Sequence, residues 1–520
     1  PIASAAAMAS AVACSAALDP AEAVLALSRA ATAAHPSHVR RRLKITGMTL
    51  DDRPASRPTN HEREAALRES VQSGLPRAIA ELSELVRIPS VSWDGFDPEH
   101  VQASAERTAA LLTELGVFET VLVDRAAAPD GALGQPAVLA RRAARNGRPT
   151  VLLYAHHDVQ PPGEESAWSS PPFEPTLRGD RLFARGVADD KAGIIAHAAA
   201  LRALAETYGE TDLGIAVFIE GEEEFGSRSF GALLERHRDL LEADVIVVAD
   251  SDNWSVTTPS LTVGLRGNAT FTLTISTLAH ASHSGMLGGV APDAMLAATR
   301  LLATLHDADG SVAVEGLTSH EQEVPSIPEQ RLRDEAGLLE GVTPIGRGAL
   351  LHRVWAQPSI TVTGIDAPSV QNASNTLLPS VRVKLSVRVA PGQPAAEAFA
   401  AVERHLRAHT PFGAHLSFEA IDLGEPFLVD ASGWAVDEAL AAMEDAWGEK
   451  PIQAGVGGSI PFIAQLAEVF PQAQVLVTGV EDPHTRAHSP DESLHIGVLH
   501  RAILTEALLL ARLSARDLRA

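Results

Sequence analysis

The pattern of apolar and polar residues predicts alternating helices and strands from about residue 62 onward. Apolar residues at helical spacing predict helices over residues 62–86, 101–115, 192–205, 292–306, 395–409, 435–447 and 496–513. Short apolar runs predict buried strands over residues 151–154, 213–219, 245–248 and 475–480. Strands that alternate with helices are typical of an α/β fold with a mostly parallel sheet covered by helices.

The pattern changes after Leu261. Residues Val381–Val389 alternate strictly between apolar and polar, which predicts an antiparallel strand with one exposed face. With strands near residues 270, 360 and 415 and two helices, this gives a β-α-β-β-α-β, ferredoxin-like order. We therefore predict an inserted α+β domain at residues 266–424, within an α/β domain made of residues 61–265 and 425–520. The polar stretch Thr318–Asp334 is predicted to be an exposed loop.

Composition narrows the class of protein. A chain of 520 residues is long for one core, so two domains are expected. The formal net charge of -24 argues against a nucleic acid or an anionic membrane as partner, because either requires a basic surface. Cys14 is the only cysteine, which excludes an intrachain disulfide and cysteine-based zinc sites. These features fit a cytoplasmic protein.

Residues 1–60 differ from the rest of the chain. They are rich in alanine, and positive charge follows their apolar part, which is the reverse of a secretory signal. No window is apolar enough for long enough to predict a transmembrane helix. We interpret the segment as a disordered or incidental extension; a weak amphipathic helix or a transit-like peptide is the alternative.

The apolar run Val151–Tyr154 leads directly into His156, His157 and Asp158. Ligands of α/β sheets usually bind at the carboxyl ends of the strands. Alternation along a strand puts His156 and Asp158 on one side and His157 on the other. We predict that His156 binds a metal and that Asp158 orients its ring, while His157 is a packing or surface residue. The alternative is a strand-end histidine that binds no metal.

Other predicted strands and loops also end in acids or histidine. The further candidates at this sheet edge are Asp189, Glu223, Glu224, Asp250 and His488. Clustered carboxylates repel one another unless cations lie among them. Two divalent ions balance Asp189, Glu224 and Asp250 as ligands plus an ionised Glu223, which favours two metals bridged by Asp189. Imidazole with carboxylate suits Zn²⁺ first, and Co²⁺ or Mn²⁺ as alternatives.

A metal pair of this kind activates a shared water for attack on a carbonyl. A neighbouring carboxylate then takes the proton and passes it to the leaving amine. We assign Glu223 as this base and Glu224 as a ligand, although charge alone does not distinguish Glu222, Glu223 and Glu224. A solvated acidic turn is the alternative interpretation.

The motifs resemble those of the M20 family of metallopeptidases, in particular its dipeptidase branch of carnosinase-like and PepV-like enzymes. The matching pieces are Y-A-H-H-D-V-Q-P, A-R-G-V-A-D-D-K, E-G-E-E-E-F-G-S, A-D-S-D-N-W, L-R-G-N, S-H-S-G-M-L-G-G, V-R-V-A-P, G-G-S-I-P and A-H-S-P-D-E. They occur in the family order over residues 65–515.

The resemblance implies a ligand set. It places His156, Asp189 and Asp250 at one metal, and Asp189, Glu224 and His488 at the other. It also implies Glu223 as general base, Asp158 as orienting residue and a cis peptide after Asp189. Two neighbours, Asp252 and His484, remain open as ligands in place of Asp250 and His488.

The resemblance further implies that the inserted domain is a lid that dimerises. His283 of one subunit would then stabilise the oxyanion in the other's active site. Arg388 would hold the substrate carboxylate by a bidentate pair, and the pocket would be lined by Asn268, Gly457, Gly458 and Ser459. A surface role for Arg388, a packing role for His283 and the use of His280 instead are the alternatives.

The sequence thus predicts a homodimeric two-metal hydrolase of dipeptides or short peptides that carry a free carboxylate. A metal-bridging water attacks the peptide carbonyl, with Glu223 as base. One alternative is an N-acyl amino acid deacylase of the same fold, of the acetylornithine or succinyl-diaminopimelate type. An alternative of another class is a metal-retaining binding protein without catalysis.

Overall fold

The computed structural model describes residues 60–429, 431–457 and 461–518. The chain separates into a unit of Pro1–Arg57 and a unit of Pro58–Ala520, and all described residues belong to the second. The predicted extension of residues 1–60 therefore lies outside the described residues, apart from Asn60, where the first helix begins.

The secondary structure follows the predicted order of helices and strands. The helices are α1 Asn60–Val86, α2 Pro98–Glu114, α3 Lys191–Tyr208, α4 Phe230–Arg236, α5 Arg238–Leu241, α6 Ser284–Leu287, α7 Ala294–Leu302, α8 Glu329–Ala336, α9 Leu350–Trp355, α10 Ala395–Ala408, α11 Trp434–Trp447, α12 Pro461–Val469 and α13 Ile496–Ala515. The strands are β1 Thr120–Asp124, β2 Ala137–Arg142, β3 Thr150–His156, β4 Thr176–Arg178, β5 Arg181–Phe183, β6 Gly214–Glu220, β7 Val245–Val248, β8 Ser260–Leu265, β9 Gly267–Ser276, β10 Ser282–His283, β11 Ser359–Asp366, β12 Thr376–Leu377, β13 Ser380–Val389, β14 His415–Gly424, β15 Phe427–Leu428, β16 Ile452–Val456, β17 Gln474–Val477 and β18 Ser493–His495. Each predicted helix is present with ends within a few residues of the expectation.

The larger sheet is mixed, with a parallel centre. Its nine strands follow the order β1-β2-β6-β3-β7-β17-β8-β15, and β16 also pairs with β8. The central neighbours β6, β3, β7 and β17 are parallel, whereas β1, β2 and β15 pair antiparallel. The predicted α/β class is confirmed, and parallel pairing is concentrated at the centre of the sheet.

Both faces of this sheet are buried. Along β3, Val151, Leu153 and Ala155 pack into one hydrophobic core with residues of α1, α3 and α13. Leu152 and Tyr154 pack into a second core with residues of α4 and α12. Successive side chains of a strand point to opposite faces, so a strand buried on both faces must be apolar at every position. The continuous apolar run in the sequence has this cause.

The smaller sheet has four antiparallel strands in the order β11-β13-β9-β14. Numbered along this part of the chain, the order is 2-3-1-4, which is the ferredoxin-like arrangement. One face packs against α7 and α10 through Phe271, Leu385 and Leu406. On β13 every second residue from Val381 to Val389 is buried, which confirms the predicted half-exposed strand.

The prediction of an exposed loop over Thr318–Asp334 is wrong in its last part, because α8 begins at Glu329. Arg331 of this helix donates a hydrogen bond to the carbonyl oxygen of Trp254 at 2.9 Å. Its guanidinium also lies 4.2 Å from the centre of the Trp254 ring. These contacts hold a polar segment that sequence periodicity alone did not identify.

Within the described ranges, no helix is both long and apolar enough to cross a membrane.

Candidate metal centre

The end of β3 places His156 beside two aspartates. The His156 backbone N–H donates to Asp190 Oδ2 at 3.1 Å. Ring atom Nδ1 lies 3.1 Å from the backbone oxygen of Asp158 and 3.4 Å from its Oδ1 atom. With the proton on Nδ1, the lone pair is on Nε2, which is buried and makes no well-directed hydrogen bond. Asp158 thus lies beside Nδ1 as predicted, with its backbone oxygen nearer to the ring than its carboxylate.

Asp189 lies between two histidines. Its Oδ1 is 3.1 Å from His156 Nε2, and its Oδ2 is 2.9 Å from His488 Nε2. The peptide bond between Asp189 and Asp190 is cis, as the resemblance implied. One carboxylate therefore presents a different oxygen to each of two imidazoles.

Two groups of potential ligand atoms form around this carboxylate. One joins His156, Asp189 and Asp250, the other joins Asp189, Glu224 and His488, and the ligand atoms within each group lie within 4.8 Å of one another. These are the two sets that the resemblance implied. Among the described residues, neither group contains Asp252 or His484, the two alternative ligands.

The loop after β6 separates the roles of three consecutive glutamates. The Asp158 carboxylate accepts hydrogen bonds from the backbone N–H of Glu223 at 3.1 Å, from that of Glu224 at 3.0 Å, and from Ser92 Oγ at 2.7 Å. The Glu222 carboxylate belongs to neither ligand group and accepts a hydrogen bond from the backbone N–H of Ser229 at 2.6 Å.

Of the other two glutamates, Glu224 points into the site. Glu224 Oε2 lies 3.3 Å from His488 Nε2 and accepts a hydrogen bond from Gln160 at 2.6 Å. No described residue donates a hydrogen bond to the Glu223 carboxylate. The geometry therefore distinguishes three acids that the charge argument did not, because Glu222 is held by the backbone and Glu224 belongs to a ligand group.

The backbone before Asp189 is held by Glu492. This buried carboxylate accepts hydrogen bonds from the N–H groups of Gly186, Ala188 and Asp189 at 3.0, 3.1 and 3.3 Å. Arg185 donates to it at 2.7 Å. Glu492 lies in the A-H-S-P-D-E motif, but the sequence alone predicts no role for it. Gln160 lies in the Y-A-H-H-D-V-Q-P motif, although its contact with Glu224 was not predicted, and Ser92 carried no sequence signal.

The electrostatics of the site favour cations. Burial, together with repulsion from neighbouring carboxylates, raises the pKa of Glu223 and of Glu224 well above the ordinary value and that of Asp250 to about 6. Burial also opposes ionisation of Asp189, but His156 and His488 outweigh it and hold the Asp189 pKa well below its usual range. A nearby positive charge relieves such repulsion. The buried Nε2 of His156, which makes no well-directed hydrogen bond, and the carboxylate oxygens around it thus fit divalent metal ions.

The predicted substrate-binding residues lie near the meeting of the two sheets. Asn268 of β9 is directly opposite Arg388 of β13 in the strand register. The backbone oxygen of Gly457 accepts a hydrogen bond from Arg266 at 3.1 Å. Gly458 and Ser459 lie outside the described residues. The structure thus brings Asn268 and Arg388 together but places neither in a ligand group.

The remaining histidines occupy different surroundings. His283 is exposed on β10, where its Nδ1 accepts from the backbone N–H of Gly285 at 3.0 Å. His280 is also exposed. His157 is fully buried and its Nε2 donates to the Pro136 oxygen at 2.8 Å, which agrees with a packing role.

Comparison with known proteins identifies the class. A family model described as peptidase family M20/M25/M40 matches residues 152–512, well over half of the chain. The chain belongs to this family and is a metallopeptidase.

Individual relatives are dipeptidases. The chain is 35% identical over 439 residues to the cysteinylglycine-S-conjugate dipeptidase of Corynebacterium striatum, covering 83% of this chain and 94% of the relative. It is 27% identical over 379 residues to the Beta-Ala-His dipeptidase of Rattus norvegicus, covering 69% and 76%. The solved structure of the dipeptidase Dug1p from Saccharomyces cerevisiae matches with a TM-score of 0.75 at 22% identity, covering 87% of this chain and 99% of that chain. That structural likeness shows the fold.

Proposed function

We propose that this metallopeptidase hydrolyses the peptide bond of dipeptides or short peptides with a free carboxylate, using two divalent metal ions. The observation that carries the proposal is the pair of ligand groups that share the Asp189 carboxylate. A single-metal centre would not require one carboxylate to face imidazoles on both sides.

His156, Asp189 and Asp250 would hold one ion, and Asp189, Glu224 and His488 the other. Zn²⁺ suits this mixture of imidazole and carboxylate first, with Mn²⁺ or Co²⁺ as alternatives. When bound, such ions supply Lewis acidity, which polarises a carbonyl and lowers the pKa of water from about 15.7 toward ~7.

Glu223 is the proposed general base. Its carboxylate is the one acid of the loop that is committed neither to the backbone nor to a ligand group. The two backbone hydrogen bonds accepted by Asp158 fix Glu223 and Glu224 in register, so that one of them faces the ligands while the other transfers protons. Glu223 takes a proton from the attacking water and returns it to the leaving amine.

The substrate carboxylate would be held by Arg388, with Asn268 and Gly457–Ser459 lining the pocket. We propose that residues 266–424 form a lid and dimerisation domain, through which His283 of a partner subunit stabilises the oxyanion. The exposure of His283 is compatible with this role.

The relatives support a dipeptide substrate, since their names specify cysteinylglycine conjugates and Beta-Ala-His. The rival of the same fold is an N-acyl amino acid deacylase. A panel of Cys-Gly, Beta-Ala-His and N-acetyl amino acids separates the two, with and without prior removal of metal by a chelator. Preference for the N-acetyl compounds would overturn the dipeptidase proposal.

The variant Glu223→Gln tests the mechanism. Its bound metal, measured by elemental analysis, should stay at the wild-type level, while kcat falls about 10²- to 10⁴-fold. The exposed Glu235→Gln, on α4, is the matched control and should change neither. Wild-type turnover by metal-loaded Glu223→Gln would exclude Glu223 as the base.

A further inference from the structure

The chain enters the smaller sheet at one tight point, between β8 and β9, and returns to the larger sheet between β14 and β15. β8 ends at Leu265 in the larger sheet and β9 begins at Gly267 in the smaller one, so Arg266 stands between them. A Cβ atom on Gly267 would lie 2.7 Å from the Gly424 oxygen and 2.8 Å from the Pro426 nitrogen. Only glycine allows so close an approach of two backbones. The segment at Gly424 and Pro426, where the chain returns to the larger sheet, therefore restricts the position of Gly267.

Arg266 is buried at this crossing and touches both sheets. Its Nε donates to the Gly457 oxygen at 3.1 Å, just beyond β16 of the larger sheet. Its Nη1 lies 3.3 Å from the Gln357 oxygen and 3.4 Å from Ser359 Oγ, at the start of β11 in the smaller sheet. One planar guanidinium therefore links two segments that are almost a hundred residues apart in the chain.

The backbone at Gly457 lies close to this guanidinium. A Cβ atom on Gly457 would lie 2.9 Å from Arg266 Nη2. A side chain at this position would therefore displace the Arg266 guanidinium, which shows how near the loop and Arg266 lie.

Arg388 lies next to the crossing, because its register partner Asn268 directly follows Gly267. It is the register partner of Ser359 on one side and of Asn268 on the other. Burial and the positive charge of Arg388 lower the pKa of Arg266 to about 10. Two cations that repel each other in a poorly hydrated place are stabilised by an anion between or beside them.

We propose that Arg266 is a positioning residue that sets Gly457 and β11 against Arg388, and thereby assembles the carboxylate-binding subsite across the two sheets. Nε and Nη1 of Arg266 donate to neutral oxygens of the chain, and we therefore assign Arg266 a role that acts through these neighbours. This inference rests on the proposed function, in which Arg388 binds the substrate carboxylate.

The test compares Cys-Gly with its C-terminal amide, which lacks the carboxylate, on metal-loaded enzyme. In Arg266→Met, KM for Cys-Gly should rise about 10- to 100-fold with kcat little changed, because small misplacements of positioning groups have effects of that size. Hydrolysis of the amide should be unaffected. Arg266→Lys keeps the positive charge but loses the planar set of N–H donors, and should behave like Arg266→Met. The exposed Arg382→Met on the same face of β13 is the control and should match wild type.

The outcomes separate the alternatives. Equal losses on the peptide and the amide would show a merely structural role, and recovery in Arg266→Lys would show a charge effect; either overturns the inference. If Arg266→Met does not fold, Gly457→Ala replaces it as the test. The added Cβ displaces the Arg266 guanidinium but leaves Arg266 in the chain, and the same selective rise in KM is expected. If the wild type fails to cleave Cys-Gly, or does not prefer it to the amide, the proposed function itself fails.

Discussion

The two sheets of this protein carry their polar side chains in opposite ways. β3 and β6 of the larger sheet are buried at every position. Charged groups therefore appear only where those strands end. β13 of the smaller sheet is buried at every second position, and polar residues recur along its whole length. A sheet covered on both faces concentrates its chemistry at an edge, whereas a half-covered sheet distributes polar groups over a surface.

The surroundings of the charges differ accordingly. At the edge of the larger sheet, Glu492 accepts bonds from three backbone N–H groups and from Arg185. On the smaller sheet, Arg382 faces Asp366 at 3.3 Å with both side chains exposed. Solvent-exposed pairs contribute little to stability, while removing one member of a buried network costs several kcal/mol. Substitutions should therefore have unequal effects in the two regions.

The largest effect is expected at the shared carboxylate. Asp189→Asn removes the negative charge that faces His156 and His488, so we expect bound metal to fall and kcat/KM to drop on the order of 10³-fold or more. Elemental analysis and steady-state kinetics on Cys-Gly measure both quantities. Asp366→Asn on the smaller sheet is the control. An Asp189→Asn enzyme with full metal and full rate would show that the two regions do not differ as described.

The next effect concerns a buried pair behind the site. Both ring nitrogens of His197 face acceptors, Glu506 at 2.8 Å and the Tyr154 oxygen at 3.0 Å, so the ring is satisfied only as the imidazolium. His197→Ala leaves the Glu506 carboxylate buried without its partner and should lower the free energy of unfolding by about 3–5 kcal/mol. Urea unfolding measures this, and the exposed His409→Ala should cost far less.

The same pair gives a pH dependence. Burial lowers the pKa of His197, but the charge and hydrogen bond of Glu506 outweigh it and raise that pKa above 6.5. The folded state thus holds its proton more tightly than the unfolded chain. The contribution to stability is complete below pH 6.5 and is lost as pH rises through the raised pKa. An equal pH dependence of unfolding in wild type and His197→Ala would contradict this assignment.

A smaller effect is expected from Glu492→Gln. The amide keeps the shape but replaces one accepting oxygen by a donor that faces backbone N–H groups. Metal affinity should weaken by about 10- to 100-fold, the usual result of altering groups that support a ligand. Titration of metal into the metal-free protein measures it, with Glu419→Gln on β14 as the exposed control. Unchanged affinity would mean that the turn before Asp189 needs no support from Glu492.

The smallest effect is expected on the polar face of the smaller sheet. Lys384 is exposed on β13, and Lys384→Thr should change the free energy of unfolding by no more than about 0.5 kcal/mol. Hydrolysis of Cys-Gly should also be unchanged. A larger loss in either measurement would reveal a role for this face that its exposure does not indicate.

Much of the architecture was predictable because its signals are local. The buried run before His156 predicted β3, and the alternation over Val381–Val389 predicted β13. The segment around Glu329 was missed because polar residues at helical spacing give no apolar stripe, and only docking of Arg331 on Trp254 shows why a helix is held there.

The sequence by itself determined which chemistry is available: histidines and acids at the ends of buried strands, since burial on both faces excludes them elsewhere. It did not determine their partners. That Glu222 bonds the backbone while Glu224 faces His488, that Glu492 holds the turn of Asp189, and that Arg266 joins two sheets were decided only by tertiary structure. The physical reason is that hydrogen bonds between residues far apart in the chain depend on distances and angles, which no local spacing encodes.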